Sequence, residues 1–275
     1  MSQGAGEVTI IHRLADGGGV VVSRYGGQVL SWTDRCGREM LYLSPLSTGA
    51  GGRPVRGGVP VCFPQFAGRG ALPKHGFART ALWTQLETPA TRHAQVHLQL
   101  RDDPITLAVW PYCFQLDLRV DFSGEHLQVS LEVKNTDSQL WTFTAALHTY
   151  FRVDSVAQTA LHGLHGISYE DSLRGRQRVV ATEATPRLDR PIDRVYLAAP
   201  QGLTLAAGTR ELRVMQNGFC DTVVWNPGPG GALGLGDMPT GDERHMLCVE
   251  AAQVSDPVEL QPGDSWLGSQ ETNIR

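Results

Sequence analysis

The chain has 275 residues, 41% of them hydrophobic and 19% charged, with a formal net charge of −4 at pH 7. That is ample material for a packed core, and the acidic balance argues against general attachment to nucleic acid or to an anionic membrane surface. No apolar run approaches the roughly 20 residues that a membrane helix needs, and MSQGAGEVTIIHR lacks the basic-then-apolar start of a secretory signal. The five cysteines form no Cys-x-x-Cys pair, so neither a disulfide framework nor a zinc ribbon is indicated. Cys62, Cys113 and Cys248 sit in apolar contexts and are expected as buried thiols in a reducing, cytoplasmic compartment.

Strand candidates open the chain at Val8–Ile11, Val20–Ser23 and Val29–Trp32. A stretch from Met40 to Leu86 then contains no Asp or Glu at all, yet carries Arg53, Arg56, Arg69, Lys74 and Arg79, with His75 beside them. Glycines flank several of these cations. Glycine lets backbone amides approach a ligand, and guanidinium and ammonium groups neutralise an anion, so the stretch reads as a site for a small anion, a phosphate first of all. After Val96–Leu100, period two becomes unmistakable. Phe114, Leu116, Leu118, Val120 and Phe122 alternate with Gln115, Asp117, Arg119 and Asp121. Beyond the Ser123–His126 turn, Leu127, Val129, Leu131 and Val133 resume the alternation. This is a β-hairpin with one dry and one wet face. Asn135–Ser138 makes a further turn, and Trp141, Phe143, Ala145 and Leu147 are expected to extend the hairpin into a three-stranded meander.

On the opposite face of that third strand lie Thr142, Thr144, Ala146, His148 and Tyr150, a small-to-polar surface such as the floor of a cleft. His148 reads either as a structural histidine bonded across the sheet or as a proton-transfer group, for which imidazole is well suited near neutral pH. Further strand candidates are Leu203–Leu205, Leu212–Met215, Thr222–Trp225 and Met246–Glu250. Within the last, Glu250 is the single charge in an apolar run and shares a face with Met246, Cys248 and Ala252. It is either a strand-end carboxylate that reaches water or an ion-pair partner, or a carboxylate held in a cleft for base catalysis.

Other chemistry finds no support. No His-x-x-x-His occurs on a helix, and His162 and His165 fall in a Gly-rich loop, so no metal is expected. Gly228–Gly231 and Gly234–Gly236 lack the strand–helix context of a dinucleotide loop, and there is no Gly-x-Ser-x-Gly elbow. Thr222–Gly228 reads as a strand that runs into a turn. Many short strands, 31 glycines, 16 prolines and no long helical stripe together indicate an all-β antiparallel sandwich or barrel-like fold, with residues 1–275 as one domain.

Several of these segments resemble a known family in order and over most of the chain. Arg56-Gly57-Gly58-Val59-Pro60, Cys62-Phe63-Pro64-Gln65-Phe66 and His75-Gly76-Phe77-Ala78-Arg79 are followed by His148-Thr149-Tyr150-Phe151 and Asp193-Arg194-Val195-Tyr196. Thr222–Gly228, Leu247–Ala252 and Gln261–Trp266 complete the series. The set is similar to the hexose-6-phosphate mutarotases (glucose-6-phosphate 1-epimerases) of the aldose 1-epimerase superfamily. The resemblance implies a large antiparallel β-supersandwich of the galactose mutarotase-like type, with a sugar site on its concave face. It implies a cofactor-independent isomerase, with His148 as general acid and Glu250 as general base. It also implies that Arg56, Lys74, His75 and Arg79 bind substrate, the two arginines at the phosphate or its neighbouring oxygens, and that Asp193 bonds sugar hydroxyls. Lys74 departs from the pattern, since the family often has Gln there; lysine still donates but adds a charge and loses the amide acceptor. The expected partner is a small sugar phosphate, without nucleic acid, membrane or a second copy. The rival expectations are a non-catalytic module for phosphorylated sugars on the same fold and a mutarotase for free aldoses.

Overall fold

The computed structural model describes residues 8–87 and 94–275, so residues 1–7 of the opening segment lie outside it. The described residues form a three-stranded sheet near the N-terminus and two eight-stranded sheets. Every named strand pairing is antiparallel. No helix among them is long and apolar enough to cross a membrane.

The expected hairpin forms from Phe114–Phe122 and His126–Asn135, with Leu116 opposite Val133 and Val120 opposite Val129. The third meander strand does not. Trp141–Leu147 leaves the hairpin and joins the other eight-stranded sheet, pairing with Met246–Leu260 and Val61–Cys62. The hairpin's neighbour is instead Ser265–Ile274. The turn itself makes the crossing: the Asn135 side chain donates to the carbonyls of Gln139 (2.8 Å) and Leu260 (2.9 Å), which ties the departing chain to a strand of the other sheet. The apolar faces then meet across a core instead of lying side by side. Leu116, Leu118, Val129 and Leu131 from one sheet and Phe143, Ala145, Leu147, Leu247, Val249 and Ala251 from the other belong to one buried cluster. Inside this layer Thr149 donates to Gln270 Oε1, and Gln270 donates to the Val249 carbonyl at 3.0 Å, so the Gln270 side chain is paired through both its oxygen and its nitrogen.

Other strands run longer than their apolar patterns suggest. Met246–Leu260 has 15 residues, with a register irregularity between Gln253 and Val258. Ile192–Tyr196, which carries Asp193, and Ser168–Asp171 are strands without a clear alternation in their sequences. One short helix, Pro104–Val109, is capped by Asp103, whose carboxylate accepts from the amides of Ile105 and Thr106. Cys62 and Cys248 are buried as expected, but Cys113 is half-exposed, because it stands at the loop edge where its amide is held by Asp137.

Candidate active site on the second face of one sheet

In Met246–Leu260 the odd-numbered residues Leu247, Val249 and Ala251 fill the main core, so Met246, Cys248, Glu250 and Ala252 face the other way. Strand register then fixes their neighbours. Tyr150 pairs with Cys248, Cys248 with Trp225 and Trp225 with Asp193, one row across four strands. In the next row on the same face Glu250 pairs with Val223, Val223 with Val195 and Val195 with Glu170. Leu147 pairs with Ala251 and Tyr150 with Cys248, so His148 between them falls opposite Glu250 at the head of this second row.

These rows floor a cavity of about 450 Å³, and the acid-free stretch covers it. Its lining includes all seven sequence-predicted residues, Arg56, Lys74, His75, Arg79, His148, Asp193 and Glu250, and adds Phe66, Arg69, Tyr150, Ser172 and Trp225. Tyr150 was legible as a face-mate of His148, whereas Trp225 lay within a segment of the family resemblance but by itself read only as strand and turn. Arg53 lies outside this cavity and lines a neighbouring one. Gly68 lines the cavity, whereas Gly58 and Gly76 serve the backbone. Gly58 has φ +61° and donates to the Tyr42 carbonyl, and a Cβ there would overlap the Val29 carbonyl oxygen. Gly76, at φ +68°, donates to Pro73 and lies as tightly against Phe63.

His148 Nδ1 lies 3.2 Å from Glu250 Oε1, with Glu250 1% exposed. The angle is not that of a formed hydrogen bond, and His148 Nδ1 and Glu250 Oε2 are both buried without a partner. The imidazole stacks on the Tyr150 ring at 4.8 Å and 9°, and Trp225 meets it edge-on. Burial, reinforced by His75, Arg79 and Arg56, pushes His148 well below the usual imidazole range. Burial, with Asp193 adding repulsion, pushes Glu250 well above the carboxylate range. Each group by itself is therefore driven toward its neutral form. His75 is also driven down, to about 3, by burial and the nearby cations. Its Nδ1 accepts from the Ala67 amide at 3.3 Å and lies 3.1 Å from Cys62 Sγ. The proton consequently resides on Nε2, and His75 serves as a neutral donor. Burial raises Asp193 as well, against the opposing pull of Ser172 and Lys74.

The cations differ in how they are held. Arg56 Nε is 2.6 Å from Asp237, and Arg69 is 2.9 Å from Glu170. Lys74 and Arg79 have no acidic partner within ion-pair distance among the described residues, and Arg79 Nε is buried without an acceptor. His148, Cys248 and Glu250 bring one donor atom each within 4.8 Å of one another. A divalent ion there would have to displace protons from a thiol and a carboxyl, both pushed up by burial, beneath four cationic side chains. The field of the cavity favours an anion.

Comparison with known families matches residues 8–273 to the family described as aldose 1-epimerase. The chain belongs to the aldose 1-epimerase family. A relative from Cenchrus ciliaris, provisionally named a glucose-6-phosphate 1-epimerase, is 35% identical over 255 residues, which cover 89% of this chain and 78% of the relative. An Escherichia coli protein with the same provisional name is 33% identical, over 84% of this chain and 78% of its own length. Among solved structures, one titled as a provisional mutarotase from Salmonella typhimurium superposes with a TM-score of 0.85 at 26% identity, covering 99% of this chain and 95% of that one. A Synechocystis protein at 19% identity and a TM-score of 0.82 shares the fold, with 100% and 98% of the two chains covered. The architecture is thus the galactose mutarotase-like β-sandwich, and the family carries a sugar-epimerase type of activity.

Proposed function

We propose that this aldose 1-epimerase family member interconverts the α and β anomers of a hexose 6-phosphate, glucose 6-phosphate foremost. The observation that carries the reading is the buried His148–Glu250 pair on the floor of a cavity rimmed by Arg56, Arg69, Lys74 and Arg79. A neutral sugar needs no such rim, whereas a phosphate monoester carries about −1.5 to −2 charges near pH 7.

Anomer exchange requires a proton delivered to the ring oxygen while another leaves the anomeric hydroxyl. The C1–C2 bond then rotates and the ring recloses on the other face. The pair holds one mobile proton, and its transfer from Glu250 to His148 converts two neutral groups into an acid and a base. His148 donates to the ring oxygen and Glu250 accepts from the anomeric hydroxyl. Beside the open aldehyde both groups are neutral again, which is the form that burial favours. Closure reverses the two transfers. Each proton-transfer partner contributes about 10²- to 10⁴-fold. Asp193 and the neutral His75 bond sugar hydroxyls, Tyr150 and Trp225 supply ring faces, and the cations hold the phosphate so that C1 stays over the pair.

NMR exchange between the anomers of glucose 6-phosphate tests this. His148→Ala and Glu250→Gln should each reduce exchange to the buffer rate while the protein stays folded. Arg79→Ala should raise KM for the phosphorylated sugar far more than for glucose. Binding without acceleration by the unaltered chain would overturn the reading in favour of a non-catalytic sugar-phosphate module.

A further inference from the structure

Arg56, like Arg69, is a site cation ion-paired to a residue that does not itself line the cavity. Its partner Asp237 lies on the long loop between Asp221–Asn226 and Met246–Leu260 and lines a separate cavity of about 340 Å³ with Arg53. Pro54 lines both cavities, and the Arg56–Asp237 pair stands between them. We infer that Asp237 is the positioning residue for the anion end of the site, holding Arg56 in the orientation that engages a substrate phosphate. The inference rests on the proposed function only in its choice of ligand.

Arginine has five N–H donors in a rigid fork. Asp237 takes Nε–H at 2.6 Å and the Tyr150 hydroxyl takes one NH1 donor at 3.3 Å. Three donors are left with no protein acceptor among the described residues. The guanidinium carbon also lies 5.9 Å from the Trp225 ring centroid, within cation–π range, so a carboxylate, a phenol and an indole all neighbour the fork.

The loop is anchored at its backbone to deliver this one carboxylate. Buried Ser44 joins the two partners: its amide donates to the Arg56 carbonyl at 3.0 Å and its hydroxyl to the Asp237 carbonyl at 2.6 Å. Glu243, 4% exposed, accepts from the amides of Gly230 (3.0 Å) and Gly241 (2.9 Å), and Asn226 donates to the Glu243 carbonyl at 2.8 Å. A carboxylate beside an anion site opposes anion binding by charge. Its retention at a pinned loop is accounted for by orientation: a fork held in one plane makes two parallel bonds to a phosphate, and a swinging one does not.

Calorimetric titration with glucose 6-phosphate and with inorganic phosphate, alongside anomer-exchange kinetics, decides the matter. The proteins are the unaltered chain, Asp237→Asn, Asp237→Ala, Arg56→Ala and the Arg56→Ala/Asp237→Ala double variant. Asp237→Ala should weaken sugar-phosphate binding and raise KM by about tenfold, with the loss in KM and not in kcat. Asp237→Asn keeps an acceptor for Nε and should recover most of the affinity. In the Arg56→Ala background, Asp237→Ala should add less than about a twofold change, because its effect passes through Arg56. Tighter binding in both Asp237 variants would reduce the carboxylate to a charge offset and overturn the inference. So would an undiminished loss in the Arg56→Ala background, which would mean that Asp237 acts on the fold. If anomer exchange is absent while the binding pattern holds, the proposed function falls and the positioning role stands. Unaltered binding in Asp237→Ala together with normal exchange gives the converse.

Discussion

Glu250 and His148 are poised by burial, and that burial makes the pair a stability liability. An unfolded chain ionises its Glu above about 4.3. The folded chain keeps the Glu250 proton to much higher pH, so it binds more protons in that window. Stability is therefore intact below the unfolded value and falls as pH rises toward the folded one. Glu250→Gln removes the titration. It should abolish anomer exchange and yet melt above the parent at pH 8, with the difference closing toward pH 4 in thermal denaturation. His75 has the opposite sign. Its folded value of about 3 means that between there and about 6.5 only the unfolded chain binds the proton, so stability is lost as pH falls. From pH 7 to pH 5 this loss is about 2 kcal/mol, and His148 adds to it in the same direction. His75→Asn, a residue that tolerates the left-handed φ of +67°, should remove the His75 share, measured as the change in denaturation free energy between the two pH values.

At the scale of elements, the site depends on close backbone approach and on register. Gly58 occupies a left-handed conformation directly against the Val29 carbonyl, where it closes the segment that carries Arg56 onto the neighbouring strand. Gly58→Ala adds both a backbone penalty of about 1–2 kcal/mol and a steric overlap, so a total loss above about 3 kcal/mol is expected in chemical denaturation. The motif Arg56-Gly57-Gly58 was legible in the sequence, but the use of its glycines was not, because their contacts are with chain far away. The same limit explains the other differences. Alternation in Trp141–Leu147 and Met246–Ala252 correctly separates the main-core face from the opposite face, since side-chain direction along a strand is a local property. Lateral neighbours are not local. Nothing in Trp141–Leu147 says that it pairs with Met246–Leu260 and not with the preceding hairpin, and nothing near Thr222–Trp225 says that Trp225 stands between Cys248 and Asp193. The Arg56–Asp237 contact joins residues 181 positions apart, with no motif to announce it. Glu250 stood out locally as a single charge in an apolar run and His148 as an imidazole on a small-to-polar face, each with a structural alternative that only the family resemblance outweighed; their facing positions come from register alone.

For the molecule as a whole, charge is segregated. The chain carries a formal −4, but the segment over the site has cations and no acids, so an anionic substrate meets a local field of opposite sign to the net charge. Two of those cations are already compensated, Arg56 by Asp237 and Arg69 by Glu170, while Lys74 and Arg79 supply the field that reaches solvent. The two differ in setting: Lys74 is exposed, whereas Arg79 is half-buried and donates from NH2 to the Lys74 carbonyl at 2.7 Å. Screening should weaken the contribution of the exposed charge first. From about 0.01 M to about 0.1 M salt the screening length contracts from about 30 Å to about 10 Å. Over that range KM for glucose 6-phosphate should rise severalfold, while KM for glucose stays level. Lys74→Gln should flatten the salt dependence and raise KM modestly. Arg79→Ala should raise KM by about tenfold, because it removes a charge-assisted donor from a desolvated position. A salt slope that survives in the Lys74→Gln/Arg79→Ala double variant would place the recruiting charge elsewhere on the surface. A slope that vanishes only in the double variant would assign it to these two residues jointly, at the mouth of the candidate site.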